Sequence, residues 1–569
     1  MATNINIGAE FFREIRENKC AYVDKTAFIE KLLTTNLAKV TLITRPRRFG
    51  KTLALTTLQD FFDISKQSKD IFDGLSISGN KELCDIWMNK YPTIFISLKS
   101  VVGKNFNDAF NAFKGIIVDI FDDNFSWLPT SQKISNKNKE IIQLFMNENA
   151  EFDHYKRFFS ILSRSLYSHY NKPVILLIDE YDVPLEHAKR NNYYDEMVEF
   201  IRSLLGNALK TNINLKFAVL TGCLRIAKES IFTGLNNFKC YGIGNELFSD
   251  SFGFTNNEVD TLLQTTDLSD KKPIFQKWYD GYLFGKNNKI YCPWDVLLYI
   301  SDLQVDPDAA PQPYWMNTSG NSIVLHLLKH ADPDVREKFE TLLEGGCIPV
   351  QLSELQTYNS LTSSGDTLWN ILYLTGYLTR ASDALARESG LQTWPGNCTA
   401  LCLPNREIRE VLLQYIKEWL RDTARTFGTA TFLKALWAGD EDTVTTQLSQ
   451  FLLRTISYHD DEGSFYHGLV VGLLGRVEDT ILRSNREAGF GRYDILFRDV
   501  TNRRCAIIEI KQTSREISLQ DLAKDALNQI EQRRYDAEDE AATLVHWGFA
   551  FHRKRCVARC AEARSSKPA

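Results

Sequence analysis

The run RPRRFGKT, residues 45–52, carries side chains that could hold the phosphates of a nucleotide. It follows the apolar run Val40 to Thr44 and leads into a segment with helical periodicity. A loop at such a junction directs backbone N–H groups and the positive end of the helix dipole at an anion. Lys51 could then reach the terminal phosphates, while the Thr52 hydroxyl could bind magnesium.

One position of this loop departs from the phosphate-loop pattern GxxxxGK[ST]. Arg45 stands where the first glycine is expected, which leaves the backbone path of the loop open. Gly50, Lys51 and Thr52 keep the part that contacts phosphate. We therefore predict nucleotide binding by the whole loop, which consists of Arg45, Pro46, Arg47, Arg48, Phe49, Gly50, Lys51 and Thr52.

A pair of carboxylates after a second apolar run could serve the same magnesium ion. The run Val174 to Ile178 predicts a buried strand, and Asp179 and Glu180 follow it directly. Ligands of open α/β sheets bind at the carboxyl ends of strands. We expect Asp179 to hold magnesium through water and Glu180 to act as general base on the attacking water. The alternative is a buried strand that ends in solvated acids.

A third apolar run ends near two further candidates. Thr221 closes this run, and its hydroxyl could sense the γ-phosphate or the attacking water. Arg225 follows and could stabilise transition-state charge in the same subunit or in a neighbour. The alternative for Arg225 is a surface or ion-paired arginine.

A second set of chemically able residues lies near the C-terminus. The apolar runs Ile495 to Phe497 and Cys505 to Ile508 flank a turn and predict an antiparallel hairpin. Such a hairpin brings Asp494 close to Glu509, and the two-residue period puts Lys511 on the face of Glu509. Two carboxylates can bind magnesium while a lysine orients water for phosphodiester cleavage. The alternative is a surface salt bridge.

The elements that must position these residues follow from the spacing of the apolar runs. Four runs alternate with helical stretches, as parallel α/β units require. Helices are expected near Phe106 to Phe121 and Tyr155 to Tyr170. The pattern predicts a doubly wound nucleotide-binding core with strands at Val40 to Thr44, Thr93 to Leu98, Val174 to Ile178 and Leu215 to Thr221.

The length of 569 residues predicts more than one domain. We expect a phosphate-loop domain at residues 1–250 and a helical lid and linker region, rich in aromatic side chains, at 251–456. A polar and acidic stretch at 457–464 suits a boundary, and the third predicted domain, at 457–569, has strand-like periodicity.

Composition narrows the class of protein without identifying its partners. With 44% hydrophobic and 24% charged residues, the chain reads as an ordinary soluble globular protein. A net charge of -5 gives no global reason for tight nucleic-acid binding, although a local groove could be basic. The eleven cysteines lack zinc-site spacing, and no apolar run approaches a membrane span, so a cytoplasmic protein with reduced thiols and no membrane partner is expected.

The tail FAFHRKRCVARCAEARSSKPA has a cluster of basic residues after a short apolar run. These residues could contact a phosphate backbone through charge alone. We expect an untethered, solvated chain end instead.

Several of these runs together resemble the AAA-ATPase-like family of microbial P-loop proteins. The resemblance spans about residues 5–321 and is carried by YVDKT, TRPRRFGKT, LLIDEYD, LTGCLRIAKESIFTGLNNF, FGFTNNEV, WYDGYLFG and YWMNTSGN. In that family an arginine at the first loop position is usual. The resemblance implies that Tyr22 to Thr26 lies beside the nucleotide and that WYDGY belongs to a helical lid.

The C-terminal set resembles the PD-(D/E)XK nuclease superfamily. The similarity covers about residues 462–535, in the runs FYHGLVVGLL, SNREAGFGRYD, AIIEIK and ALNQIEQRRY. It implies an α/β restriction-endonuclease-like domain, with Gln529 on a helix after the lysine and with Tyr466 and His467 on a helix before the aspartate. The alternative for His467 is a helix residue satisfied by a backbone partner.

Two functions fit these sites. The first is an ATP-driven enzyme in which nucleotide binding changes the lid and so controls a magnesium-dependent nuclease acting on nucleic acid, with DNA favoured over RNA. The second is a nucleotide-dependent switch or binding protein whose nuclease-fold module does not cut. Both imply ATP and magnesium as cofactors, and a homo-oligomer is compatible with either.

Overall fold

The computed structural model describes residues 5–35, 38–210, 212–224, 232, 238–317, 333–352, 365–389, 398–415, 429–453, 464–474, 480–488, 491–513, 518–533 and 543–562. The chain forms two compact units. The first unit contains residues 1–315 and 349–408, and the second contains 316–348 and 409–569. These divisions differ from the predicted boundaries, because each unit takes a segment from the region predicted as lid and linker.

A parallel sheet forms the centre of the first unit. Its five strands run in the order β2-β3-β4-β1-β5, so that β4 lies between β1 and β3. The four predicted strands are confirmed to within a residue, whereas the short and half-exposed β5 was not predicted. The strands are β1 (Val40–Thr44), β2 (Thr93–Ser97), β3 (Val174–Asp179), β4 (Leu215–Gly222) and β5 (Phe238–Tyr241).

Helices cover both faces of this sheet, as the continuous apolar strands require. Along β3, Leu176 and Ile178 join one core cluster while Ile175 and Leu177 join the other. The helices are α1 (Phe12–Glu17), α2 (Ala27–Thr34), α3 (Lys51–Phe62), α4 (Lys69–Phe72), α5 (Lys81–Trp87), α6 (Phe106–Ile120), α7 (Asn136–Met146), α8 (Phe152–Lys156), α9 (Phe158–Tyr170), α10 (Val183–Arg190) and α11 (Tyr194–Leu209).

The region predicted as a helical lid and linker contains strands as well as helices. Gly281 has φ +116 and lies so close to the Pro404 carbonyl that a Cβ would be 1.9 Å from its oxygen, so the chain leaves helical geometry there. Two three-stranded sheets form, in the orders β6-β8-β7 and β10-β11-β9. The elements are β6 (Phe254–Thr255), α12 (Asn256–Thr265), α13 (Lys272–Tyr279), β7 (Tyr282–Phe284), β8 (Asn288–Tyr291), α14 (Pro293–Val305), α15 (Pro333–Leu343), β9 (Ile348–Gln351), α16 (Gly365–Thr375), β10 (Thr379–Arg380), α17 (Asp383–Glu388), β11 (Cys398–Cys402), α18 (Thr429–Ala438) and α19 (Glu441–Leu453), with residues 406–415 also helical.

A mixed sheet forms the centre of the second unit. The strands run in the order β12-β13-β14-β15-β16, and only β14 and β15 are parallel. The predicted hairpin is confirmed as the pair β13 and β14. The elements are α20 (Ser464–Leu474), β12 (Thr480–Ala488), β13 (Gly491–Asp499), β14 (Arg504–Gln512), α21 (Leu519–Arg533), β15 (Thr543–His552) and β16 (Arg555–Glu562).

The expected solvated end was wrong for residues 555–562, which form β16. Cys556 and Ala558 are buried, and the Ala558 N–H donates to the Thr445 hydroxyl of α19 at 2.9 Å. Alternating apolar side chains therefore make this basic segment a strand; residues 563–569 lie outside the described part of the chain. Among the described helices, none combines the length and apolar character needed to cross a bilayer.

Candidate functional sites

The carboxyl ends of β1, β3 and β4 bring three predicted site residues together. Asp179 ends β3 and is 1% exposed. One of its oxygens accepts a hydrogen bond from the Thr52 hydroxyl at 2.6 Å, and the other accepts from the Thr221 hydroxyl at 2.5 Å. Because β4 lies between β1 and β3, the side chain of Thr221 is adjacent to both motifs.

Lys51 begins α3 beside this group. Its ammonium donates to the backbone oxygens of Arg45 and Pro46 at 3.1 and 2.9 Å, and lies 3.6 Å from the Cys223 sulfur. Gly50 has φ +83, a conformation that glycine adopts without steric cost. The loop thus curls back over the lysine that the sequence predicts to bind phosphate.

Arg45 is fully buried and supports the loop from within the protein. Its guanidinium donates to the carbonyl oxygens of Thr44, Tyr241 and Phe248 at 2.8 to 3.0 Å, and its backbone N–H donates to Gly222. The Arg45 side chain is thus held inside the protein, and its predicted contact with the nucleotide stays a prediction. The two terminal nitrogens of the Arg45 guanidinium are committed to carbonyl oxygens that a glycine could not satisfy.

The other loop residues are held in different ways. Arg47 forms an ion pair with Glu186 of α10 at 2.6 Å, and exposed Arg48 stacks on Trp294 at 4.0 Å. Pro46 is buried, and Phe49 is buried with an edge-on contact to Tyr282. Glu186 and Trp294 are site neighbours that the sequence did not indicate, because neither belongs to a recognisable motif.

Glu180 follows β3 and is half-buried near Asp179 and Lys51. Burial raises the pKa of Glu180 and the neighbouring Asp179 raises it further, while Lys51 acts in the opposite direction. Its backbone has φ +50, an uncommon conformation for glutamate that recurs at functional sites. The positive charge of Lys99, just beyond β2, also opposes the rise in the pKa of Glu180. The sequence did not indicate this neighbour.

Asp182 binds the backbone that follows β4, a role that the sequence did not indicate. It is buried, and one oxygen accepts from the N–H groups of Cys223 and Leu224, both at 2.9 Å. Gly222 permits this approach, since a Cβ there would lie 2.7 Å from the other oxygen. Asp182 therefore fixes the backbone just before Arg225, which itself lies outside the described residues.

The run YVDKT is tied to elements other than the phosphate loop. The Lys25 ammonium binds the Glu258 carboxylate at 2.7 Å and the Asp250 backbone oxygen at 2.8 Å. Asp24 accepts from the Ser76 N–H at 2.7 Å. These contacts fasten the N-terminal segment to the body of the first unit, and the implied place beside the nucleotide stays a prediction.

The oxygen atoms of the first site fit a magnesium ion with few protein ligands. Thr52 and Asp179 supply a hydroxyl and a carboxylate, which are ligands that hard cations prefer. Within the described residues, no cluster of three His, Cys, Asp or Glu side chains could hold a metal by itself. Such a sparse set suits magnesium, which usually keeps waters and takes phosphate oxygens as further ligands.

The second unit brings the predicted hairpin residues together. An Asp494 oxygen accepts from the backbone N–H of Ile510 at 2.8 Å, which places the carboxylate next to Glu509. Burial and then the charge of Asp494 raise the pKa of Glu509 to about 8, while Lys511 opposes this rise. Burial also raises the pKa of Asp494.

The two carboxylate oxygens of Glu509 have different surroundings. Gln529 of α21 donates to one of them. The other oxygen is buried and has no hydrogen-bond partner among the described residues. A buried carboxylate oxygen without a partner, beside a second carboxylate, fits a divalent metal.

The helix before the aspartate supports this site through a backbone contact. His467 of α20 donates from Nε2 to the Asp494 backbone oxygen, 3.1 Å away. This is the alternative stated for His467, a histidine satisfied by a backbone partner. Its neighbour Tyr466 stacks on Phe551 of β15 with ring centroids 4.5 Å apart.

Comparison with known proteins agrees with both predicted resemblances. Residues 6–232 match the AAA-ATPase-like family, described as a predicted AAA-ATPase. Residues 461–560 match the PD-(D/E)XK nuclease superfamily. The chain therefore contains an AAA-ATPase-like P-loop domain followed by a nuclease-superfamily domain, and the predicted fold class is confirmed.

One curated relative gives no further indication of activity. It is described as "Uncharacterized protein in vnfD 5'region" of Azotobacter chroococcum mcd 1 and is 27% identical over 324 residues. The matched region is 57% of this chain and 55% of the relative, so the chain spans about half of the length of that protein.

Proposed function

We propose that this chain binds and hydrolyses ATP and that its C-terminal domain is a magnesium-dependent nuclease acting on nucleic acid, with DNA favoured over RNA. The observation that carries the proposal is the meeting of Thr52, Asp179 and Thr221 beside Lys51. The grouping of Asp494, Glu509 and Lys511 in the second unit supports the nuclease part.

Each residue of the first site has a role in this proposal. Lys51 and the backbone N–H groups of the loop bind the phosphates, and Thr52 and Asp179 hold magnesium. Glu180 accepts a proton from the attacking water, for which a raised pKa is suitable. Thr221 orients that water or senses the γ-phosphate, and Arg225 stabilises charge in the transition state.

In the second site, Asp494 and Glu509 hold the metal and Lys511 orients or activates the water that attacks the phosphodiester. When bound at either site, magnesium supplies positive charge that offsets the charge of the reacting phosphate. Gln529 orients Glu509 through its hydrogen bond.

The test of the first site is ATP binding and hydrolysis by the full chain, with and without DNA. Lys51→Ala should lose both, whereas Glu180→Gln should bind ATP and hydrolyse it at least roughly a hundredfold more slowly. Lys69→Ala, an exposed lysine at the start of α4, is the matched control. A wild-type chain that neither binds nor hydrolyses ATP would refute this half of the proposal.

The test of the second site is cleavage of supercoiled and branched DNA in magnesium. Asp494→Ala, Glu509→Ala and Lys511→Ala should each abolish cleavage, while Asp521→Asn, an exposed acid on α21, should retain it. Cleavage that survives in all three site variants would rule out the assignment. Absence of both cleavage and magnesium binding at the hairpin would favour the nucleotide-dependent switch.

A further inference from the structure

The turn between β15 and β16 exposes a group of basic side chains in the second unit. Arg553, Lys554 and Arg555 follow one another at this turn, and both arginines are exposed. Among the described residues, neither guanidinium has an acidic partner, whereas Arg559 of β16 is paired with Glu441. The two arginines of the turn are therefore available for an anionic ligand.

The turn lies just beyond the carboxyl end of the strand that carries Glu509 and Lys511. β14 and β15 are parallel, with Lys511 opposite Ala550 and Gln512 opposite Phe551. Beyond this pairing the Thr513 N–H donates to the Phe551 carbonyl at 3.1 Å. The His552 Nδ1 donates to the Thr513 carbonyl at 2.8 Å, so the exit of β14 is bonded to the start of the turn.

Strand register places Arg555 on the same face of the sheet as Lys511. Ala550, which pairs with Lys511, pairs in turn with Val557 of β16. His552 and Arg555 form the pair two residues further on, and side chains two residues apart on a strand share a face. Two strand spacings and two residues separate the Cα atoms of Lys511 and Arg555 by roughly 12 Å.

Helix α20 contacts both the turn and β13, the strand that carries Asp494. The Tyr466 hydroxyl of α20 donates to the Arg553 carbonyl at 3.0 Å. The next residue, His467, donates to the Asp494 carbonyl. Consecutive residues of α20 thus bind the turn and Asp494. The helix therefore fixes the distance between the two arginines and Asp494.

We propose that Arg553 and Arg555 bind the sugar-phosphate backbone of the nucleic acid beside the phosphodiester cleaved at Asp494, Glu509 and Lys511. The inference rests on the proposed nuclease function and adds where the substrate lies. A separation of roughly 12 Å corresponds to the rise of about three to four base pairs along the axis of a duplex. Because the contact is to phosphate, it positions any sequence equally.

The test is binding of a labelled 30-base-pair DNA duplex to the full chain by fluorescence anisotropy, in calcium without magnesium, across a salt series. Arg553→Ala/Arg555→Ala should raise Kd roughly tenfold and lower the slope of log K against log salt by about two, one for each phosphate that the variant no longer binds. Arg553→Lys/Arg555→Lys keeps the charge and should retain the wild-type slope.

Arg503→Ala is the matched control. Arg503 is also exposed in a hairpin turn, with φ +52 against +51 for Arg553, but it lies at the opposite end of β14. Its loss should leave Kd and slope unchanged. Melting temperatures of all variants should equal that of the wild type.

Three outcomes would overturn the proposal, and they can be distinguished. If the wild type binds and cleaves DNA while the double alanine variant keeps the same Kd and slope, the turn is not the backbone contact. An equal loss in Arg503→Ala would show general charge attraction instead of a defined site. If the wild type neither binds nor cleaves duplex DNA, single-stranded DNA or RNA, the proposed nuclease function fails together with this inference.

Discussion

At the residue scale, Arg45 shows how a departure from a motif can be a requirement of the fold. Its guanidinium donates to three carbonyl oxygens and lies 5.3 and 5.5 Å from the ring centroids of Phe252 and Phe284. Burial lowers the pKa of Arg45 to about 10, so the side chain stays charged at neutral pH. Glycine at this position would restore the phosphate-loop motif but would remove the hydrogen bonds that hold the loop.

We predict that Arg45→Gly destabilises the protein instead of improving the loop. Three carbonyl oxygens would lose a charged donor and a cavity would remain, which together cost roughly 3 to 5 kcal/mol. Chemical denaturation of the first unit, followed by fluorescence, measures this loss.

Arg48→Gly, three positions along the same loop, is the control for Arg45→Gly. Arg48 is exposed and has φ +70, which glycine adopts more readily than arginine, so its replacement should cost less than about 1 kcal/mol. Equal stability of the two variants would contradict the support that we assign to Arg45.

At the element scale, the close packing of α21 on β15 positions a residue of the second site. A Cβ on Gly548 would lie 2.1 Å from the Ala523 carbonyl oxygen and 2.8 Å from the Leu527 nitrogen. Gly548 pairs with Glu509 across the parallel strands, and Gln529 reaches Glu509 from α21. The absence of a side chain therefore lets the helix approach the strand that carries Glu509.

We predict that Gly548→Ala moves α21 away from β15 and lowers DNA cleavage at least roughly tenfold, since a small displacement of a positioned group is costly. ATP hydrolysis should remain. Gly206→Ala in α11, where a Cβ would meet nothing within 4 Å, should leave both activities unchanged. Normal cleavage by Gly548→Ala would show that the position of α21 does not matter.

A second element-scale feature is a pair of buried acids within the first unit, Asp295 of α14 and Glu407. Asp295 and Glu407 are both fully buried, and the charge of Asp295 acts on Glu407. Burial raises the pKa of Asp295 to about 6 and raises that of Glu407 well above its ordinary value. Cys292, through a hydrogen bond, and Arg48, through its charge, both act in the opposite direction and favour the charged form of Asp295.

These shifts predict a loss of stability as pH rises. The folded protein binds a proton that the unfolded chain releases, so the stabilisation is complete below about pH 4 and is lost as pH rises through 6. The free energy of unfolding should fall by an amount on the order of 2 kcal/mol between pH 5 and pH 8. The melting temperature should fall over the same range.

Asp295→Asn should flatten this dependence because an amide does not titrate in this pH range. Asp308→Asn, which replaces an exposed acid just after α14, should follow the wild type. Parallel melting curves for the wild type and Asp295→Asn across pH 5 to 8 would refute the role of the pair.

At the scale of the whole molecule, each proposed activity belongs to a different compact unit. Lys51 and Asp179 lie in the first unit, and Asp494 and Glu509 lie in the second. The two sites share no residue, so the chemistry of each can be removed without altering the groups of the other.

We predict that Asp494→Ala keeps ATP hydrolysis within about twofold of the wild type while cleavage is abolished. Lys51→Ala should keep metal-dependent basal cleavage but lose any dependence of the cleavage rate on ATP. Measuring both rates on each variant tests the proposed control of the nuclease by nucleotide. Cleavage by Lys51→Ala that still responds to ATP would exclude control through this loop.

The amino-acid sequence by itself determined the local parts of this protein. Apolar runs followed by RPRRFGKT and by Asp179 predicted β1 and β3, and the hairpin that carries Asp494 and Glu509 was predicted from its own two runs. Such features are encoded within about ten neighbouring residues, because burial pattern and turn chemistry are local properties.

Only the tertiary structure decided which distant residues meet. Two partners of Arg45 lie 196 and 203 residues away, those of Asp182 lie more than 40 residues along, and the basic turn begins 42 residues beyond Lys511. These meetings depend on strand order and register, which leave no mark in the local pattern. Short strands such as β5 and charged segments such as β16 were missed for the same reason, since pairing with neighbours defines them.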